Sequence, residues 1–441
     1  MIFTAVETLG KGIRLNATML IMSLLLAGLQ FCLPYRWAFL PLLIAACHTP
    51  YVPFVGSFTV VRIVIMVGIL RAWSGGFLKF DVTHPMDRLL GLFVVIVMLS
   101  GFAYPWNGGD AFVTRLRISM DVAGTYLFAR AYLAERESLE RFAIGLAAVL
   151  IPFGLMMFYE RISGNNPYRI LGGQSLMAIV RDGRIRAQGS FGTPILAGTV
   201  AATAMPFLAS IWHQHKTLAL AGLLAALVTI FSTSSSGPIG TAMVAMAVMC
   251  GWKWRSHVGT ILVWLVVALL VLHFIKSRPV WYLMALMDFV GGSTGWHRAY
   301  LIDMAIKHLD EWWAFGTDFT RHWMPYGLAS DPNHCDITNY YIQLGVTGGL
   351  ALTGALIAIQ WRSFRLLGQE IMNRFENDGL EKFRLWCLGS ALAAHAVTFL
   401  SISYFDQMHV FYWALIGGLS GFVGLEENEY ERSTVAMPVM T

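Results

Sequence analysis

Apolar runs long enough to cross a bilayer recur along this sequence from end to end, and nothing else about it narrows the possible folds as much. A helix needs about 20 apolar residues to span the hydrocarbon. Leu139 to Tyr159, His257 to Ile275 and Ile337 to Gln360 are plain instances. Only 13% of the residues are charged, against 56% hydrophobic. A soluble domain carries roughly 25% charged residues, so a buried core does not account for the shortfall. Lipid offers the backbone no partners, so each run has to be a helix. Strands of about 10 alternating residues, as in a membrane β-barrel, do not occur. The expected fold is therefore all-α, a polytopic transmembrane helical bundle.

The apolar segments fall at 17–33, 37–48, 54–72, 88–105, 112–133, 139–159, 190–211, 217–232, 237–251, 257–275, 337–360, 385–403 and 407–424. They make about 12 spans. The run at 37–48 is short and bounded by Pro34, Pro41 and Pro50, so it is either re-entrant or a broken helix. Basic links carry Arg71/Lys79/Arg88, Arg130/Arg136/Arg141, Lys216, Lys253/Arg255 and Arg362/Arg365/Arg374/Lys382/Arg384. The links 48–53, 105–111, 232–237 and 404–408 are nearly free of Lys and Arg. The two sets alternate from residue 50 onward, and the positive-inside bias puts the basic set in the cytoplasm. Two spans before residue 50 would leave Lys11 and Arg14 outside, which breaks the pattern. The N-terminal run reads as a retained span, without the small-residue cleavage site of a signal peptide.

The chain divides into N-terminal spans 1–138, core spans 139–275, an outward loop 276–336, C-terminal spans 337–425 and a polar tail 426–441 that is expected to be disordered. A second outward loop, 160–189, lies within the core spans and holds Arg161, Arg169, Arg181, Arg184 and Arg186. Basic residues on the outward side run against the usual bias, so they are either a solvated surface or there for a ligand. The net charge of +5 is modest and spread among loops, which excludes a nucleic-acid partner. Of the five cysteines, Cys32, Cys47, Cys250 and Cys387 lie in or beside apolar runs and Cys335 stands alone in a polar loop, so no disulfide framework is expected.

Three segments carry chemistry. Trp296 to Trp313 is amphipathic at 100° per residue, with Asp303, Lys307, Asp310 and Glu311 on one side and Leu301, Ile302, Ala305, Leu309 and Trp312 on the other. Arg298 falls inside the apolar arc, where it needs either a salt bridge to a nearby Asp or an anionic ligand. In Arg186-Ala-Gln-Gly-Ser-Phe-Gly-Thr-Pro194, Gly189 and Gly192 permit close backbone approach and Pro194 suits the first turn of a helix. An Arg beside a helix N-terminus makes an anion site. Asp331-Pro-Asn-His334-Cys-Asp336-Ile-Thr-Asn339 leads into a span, and a His there is either structural or a proton acceptor. Arg62, Arg117 and Asp121 are charges within spans; Asp121 follows Arg117 by four residues, which suggests an ion pair.

Together these segments resemble the bacterial O-antigen ligase and O-antigen polymerase superfamily. The signature is His334, Cys335, nine residues, Gly345, two residues, Gly348, preceded by the Arg186…Gly189…Phe191…Pro194 motif and a small-residue hairpin at 232–238. The match covers roughly residues 140 to 360. It departs at Cys335, where Asn, Ser or Gln is usual, and in the hairpin, which lacks an Arg after its serines. The resemblance implies a membrane glycosyltransferase of the GT-C-like kind, in the bacterial inner membrane with its active site on the periplasmic face. The donor would be a polyprenyl (undecaprenyl) pyrophosphate-linked oligosaccharide. The acceptor would be a glycan, for polymerisation in O-antigen or exopolysaccharide assembly, or a lipid core, for ligation. The polymerase is the expectation and the ligase the alternative; other polysaccharide assembly proteins would be partners. His334 would be the base, Arg186 and Arg298 would hold the pyrophosphate with help from Arg181 and Arg184, and Gly189, Asp331, Asp336 and Asn339 would line the site, with Asp336 or Asp331 orienting His334. The outward loops hold no Asp-x-Asp pair, so neither metal nor cofactor is expected. The rival from another class is a polysaccharide transporter or flippase, which would be expected to show inverted repeats; none is visible.

Overall fold

The computed structural model describes residues 17–54, 57–78, 80, 83–103, 111–172, 177–286, 295–328, 331–373 and 379–435. Lys11 and Arg14, Lys79, Arg374 and the end of the tail lie outside the described residues. The apolar runs become helices: α1 Ala17–Cys32, α2 Leu40–His48, α3 Val60–Ser74, α4 Pro85–Ala103, α5 Ala111–Ser119, α6 Thr125–Tyr132 and α7 Arg136–Ser163 in the first part of the chain. A two-stranded ribbon, β1 Ile179–Arg181 and β2 Arg184–Arg186, comes next. There follow α8 Pro194–Ser210, α9 Lys216–Ser232, α10 Ser236–Cys250, α11 Val258–Ile275, α12 Gly295–Lys307, α13 Leu309–Trp312, α14 Tyr340–Asn373, α15 Gly379–Thr398 and α16 Met408–Val435.

The protein is thus a mostly helical membrane protein. Among the described residues, four stretches are long and apolar enough to cross a membrane: Pro85–Ala103, Glu137–Ser163, Ser236–Ile275 (α10 and α11 joined by a 3-10 turn) and Tyr340–Met372. Ala17–Cys32, Pro194–Ser210 and Lys216–Ser232 are apolar but shorter. The question left open at 37–48 is answered by a 3-10 turn, Tyr35–Trp37, followed by the nine-residue α2. At 1.5 Å per residue α2 is about 14 Å long, too short to cross the hydrocarbon by itself.

The hub is α8, in which every residue but Ile195 and Ala209 is buried. It is rich in Ala, Gly and Thr, and such small side chains let neighbouring helices approach closely. α7, α9, α10, α15 and α16 all pack against it. By contrast, α11 buries none of its residues.

Side-chain bonds tie the basic links together at one end of the bundle. Arg71 donates to the carbonyls of Gln30 and Leu33, and Tyr35 Oη to that of Ala131 at 3.0 Å. Arg384 pairs with Glu140 and Glu381, and His215 Nε2 lies 3.0 Å from Glu140 Oε1. Among the links poor in Lys and Arg, 48–53, 232–237 and 404–408 are tied to the arginine segment: Gln407 Nε2 donates to Thr49 O and Ser190 O, and Arg186 donates to Thr233 O and Ser235 Oγ.

Three local expectations are corrected, and one short element is added to the all-α bundle: Asp182 and Gly183, with φ of 52° and 71°, make the turn of the Ile179–Arg186 ribbon. Two successive positive φ values are what a type I′ hairpin turn needs. Asp121 pairs with Arg62, at 2.7 Å through both oxygens, and Arg117 donates to Ser57 Oγ instead. A π-helical turn, Met120–Gly124, shifts the phase between Arg117 and Asp121 and removes the four-residue pairing. The amphipathic helix breaks at His308 into α12 and α13, and Leu309 is turned outward, 38% exposed. α16 runs on to Val435 where a disordered tail was expected from Glu426, since neither Gly nor Pro stops it there.

Candidate functional site

The loop 399–408 joins the arginine segment to the histidine segment. On one side Asn339 Nδ2 donates to Leu400 O at 3.0 Å, Ser403 Oγ to Ile337 O at 2.5 Å and Tyr340 N to Phe399 O at 2.8 Å. On the other, Gln407 Nε2 donates to Ser190 O at 3.2 Å, and Gly192 N donates to Asp406 Oδ2 at 3.2 Å. Burial pushes the Asp406 carboxyl up to about 6, with the Gly192 amide pulling against it.

The arginine segment is held by a buried acid that the sequence reading passed over. Glu160, fully buried at the end of α7, accepts from Gln188 N at 3.1 Å and Gly189 N at 2.8 Å. A lone acid at the end of an apolar run was the available signal. Gly189 itself has φ of 62°, and a Cβ there would lie 2.9 Å from Met157 Sδ and Phe153 Cε2, so only glycine fits. Pro194 opens α8, with Thr193 at the cap. Arg186 ends β2 and is half-buried; its Nη2 donates to Ser235 Oγ at 2.6 Å and its Nε to Thr233 O at 3.3 Å. The 232–238 hairpin, which has no arginine of its own, thus receives one from the neighbouring strand.

Arg298 is 8% exposed on α12. Its Nε is buried without a hydrogen-bond partner, and among the described residues no ion pair holds it. Asp303, on the same helix, is taken by other donors: it accepts from Trp281 Nε1 and Tyr282 Oη, both at 2.6 Å. Burial presses the Arg298 guanidinium down, Asp336 opposes, and the charges of Arg181 and Arg186 press it down further. Arg186 is lowered by burial first and by Arg181 next. Three arginines therefore share one neighbourhood, and the cations repel one another. That arrangement favours a polyanion between them. Arg184, exposed and opposite Arg181 in the ribbon register, is not among the charges acting on Arg298.

His334 is 7% exposed in the turn before α14. Its Nδ1 lies 3.3 Å from Thr320 Oγ1 and its Nε2 3.7 Å from Asp331 Oδ2. Burial lowers the imidazole below its ordinary value, while Asp331 and Asp318 pull it up. Of the two aspartates expected to orient it, Asp331 is the neighbour. Asp336 acts on Arg298, and its backbone carbonyl lies 3.0 Å from His297 Nε2. Asn339 is spent on the backbone, its Oδ1 accepting from Ile342 N at 3.1 Å and its Nδ2 reaching Leu400. Thr320, which also accepts from Cys335 N at 3.2 Å, had no signal in the sequence.

The spacing from His334 to the glycines has a packing reason. Trp312 of α13 lies on Gly345, where an added Cβ would meet its ring at 2.3 Å. α14 breaks its helical geometry at Gly348 and Gly349, and Leu350 N donates to Trp313 O at 2.8 Å. Thr317 N donates to Val346 O at 2.9 Å. The loop 276–336 is therefore docked into a kinked helix, and the same loop carries Thr320 to His334.

These observations define an all-α membrane protein in which the arginine segment and the histidine segment both dock on the loop 399–408. No family model matches the sequence, and no curated protein matches it.

Proposed function

We propose that the chain is a membrane glycosyltransferase that uses a polyprenyl-pyrophosphate-linked glycan as donor, a polymerase in surface-polysaccharide assembly, with about 12 spans and its site on the periplasmic face of the inner membrane. The observation that carries the reading is the buried Arg298, which no ion pair holds among the described residues, facing the charges of Arg181 and Arg186. A pyrophosphate leaving group bears several negative charges, and guanidinium forks bind phosphate oxygens in pairs. In the reaction the acceptor O–H attacks the anomeric carbon. The bond from that carbon to the pyrophosphate oxygen breaks, and lipid pyrophosphate leaves with the electron pair. The acceptor proton passes to His334, which is neutral at pH 7 because burial lowers its basicity. Asp331 stabilises the imidazolium that forms. The apolar flanks of the spans would hold the prenyl tail. The reading makes the arginines, not a metal ion, the counter-charge of the leaving group.

The test is glycan chain length in a reconstituted system holding a polyprenyl-pyrophosphate oligosaccharide. His334→Ala should bind the donor as the parent does and extend no chains, a loss of about 100-fold or more. In the parent, kcat/KM should rise with pH through a limb lying below the ordinary histidine value of about 6.5 and then level off. Normal extension by His334→Ala would overturn the assignment of the base, and a limb well above that value would overturn its protonation state.

A further inference from the structure

We infer that His308, Glu311 and His322 form a site for a divalent first-row transition ion, zinc above all, which braces the loop that supports His334. The three donor atoms, His308 Nδ1, a Glu311 oxygen and His322 Nε2, lie within 4.8 Å of one another. Both nitrogens stand 2.8 Å from the same oxygen, Glu311 Oε1. Two imidazole nitrogens and one carboxylate oxygen are the donor set of three-ligand zinc sites. Bond lengths of about 2.1 Å in a tetrahedron place ligands roughly 3.4 Å apart. Each contact needs to open by only about half an ångström to admit an ion.

The surroundings are already arranged as they are around ligands. Trp323 Nε1 donates to Glu311 Oε2 at 3.0 Å, which orients the carboxylate and leaves Oε1 for the two rings. The His308 ring stacks on Trp323 at 6.1 Å and 14°, and the His322 ring on Phe319 at 5.2 Å and 12°. Burial alone would raise the Glu311 carboxyl, but the bonds from Trp323, His322 and His308 together hold it below the usual range. It is therefore an anion at any physiological pH. His322 is exposed, so a fourth position is open to water. Nitrogen donors favour zinc over magnesium or calcium. A purely hydrogen-bonded trio would require His308 to carry its proton on Nδ1 and His322 on Nε2, and the ion replaces those two N–H contacts.

The location gives the site its task. The donors tie α13 to the 3-10 turn Arg321–Trp323. Thr320, one residue before that turn, touches His334 Nδ1, and Thr320 N and Arg321 N both donate to Asn333 O at 3.0 Å. An ion here would stiffen the support of His334 without touching it.

The experiment uses the full chain in lipid nanodiscs, stripped with chelator and titrated with Zn2+ alone against a chromogenic zinc indicator. One ion per chain should bind. His322→Ala and Glu311→Gln should each weaken binding at least about tenfold, the usual scale for loss of a contact at such a site. His213→Ala, an exposed histidine outside the cluster, should bind as the parent does. Zinc should raise the thermal midpoint of the parent and not that of His322→Ala, a readout that holds even if the variant is less stable at the outset. Equal zinc uptake by the parent and by a His308→Ala/His322→Ala chain would overturn the inference, leaving a hydrogen-bonded trio only. The titration reads no glycosyl transfer, so its failure leaves the proposed function standing. Conversely, transfer that chelator abolishes and Mg2+ restores in the double variant would put a metal at the phosphates. That result would count against the arginine reading and not against this site.

Discussion

Arg298 sits in an unfavourable place: it is buried, and its Nε has no hydrogen-bond partner. An unmet hydrogen bond on a buried polar group costs about 1–3 kcal/mol, more when the group is charged. Here the cost is accepted beside two further arginines. Its place was legible in the sequence, because a helical wheel already put Arg298 in the apolar arc. Arg186 was legible too, from the glycines and proline that follow it. The residues that hold these two were not. Glu160 and Thr320 act across large gaps in sequence, 28 residues to Gln188 and 14 to His334, and no local pattern announces such contacts. Arg186 also supplies the sharpest test at this scale. Arg186→Lys keeps the charge but loses the fork that holds Thr233 and Ser235 and that, on the proposed function, would also reach the pyrophosphate. It should lower kcat/KM at least about tenfold, roughly 1.4 kcal/mol, in the chain-extension assay. A lysine variant with full activity would mean that charge alone suffices.

At the scale of elements, helix existence could be read from hydropathy, and interruptions could not. The π-turn at Met120–Gly124, the break at His308 and the kink at Gly348–Gly349 each arise from contacts that a window of neighbours does not see. The kink is the most consequential of them. Gly349 has φ of 74°, and an added Cβ would lie 2.2 Å from Ala314 O. Gly349→Ala should destabilise the docked loop by about 2–4 kcal/mol, combining backbone strain with the clash. Limited proteolysis between residues 313 and 328 would report it, together with a lower thermal midpoint. Gly354→Ala, five residues on, meets nothing within 4 Å and should be neutral or slightly stabilising. If the two variants were cut alike, the docking of α13 on the kink would be wrong.

At the scale of the whole molecule, the alternation of basic and non-basic links gave the bundle two chemically different ends. The structure joins Glu140 to His215 and Arg384 among the basic links, and ties the non-basic links 48–53, 232–237 and 404–408 to the arginine segment. Which end faces the cytoplasm follows from the charge bias alone. It can be measured with an impermeant maleimide on right-side-out membrane vesicles, in a background where Cys32 and Cys250 are serine. Arg184→Cys should label in sealed vesicles, and Arg255→Cys only after they are opened; the reverse pattern would invert the proposed orientation. Both positions are exposed. The number of crossings was harder to read than their existence. The prolines around 37–48 already marked that run as irregular, and the nine residues of α2 and their burial on most sides make it part of the packed interior.

Among the described residues, α11 is the one long apolar helix that buries no residue. None of its 18 residues is buried, and only Val258, Leu272 and His273 near its ends are partly covered, so in a bilayer the hydrocarbon would surround most of its side chains. Such a helix works as a ruler. Exchanging one apolar residue for another leaves its message intact, but removing a turn shortens it by about 5.4 Å. The segment that carries Arg298 and the His308 cluster is strung from its far end, so the thickness of the bilayer would set how deep that segment sits among the lipid headgroups.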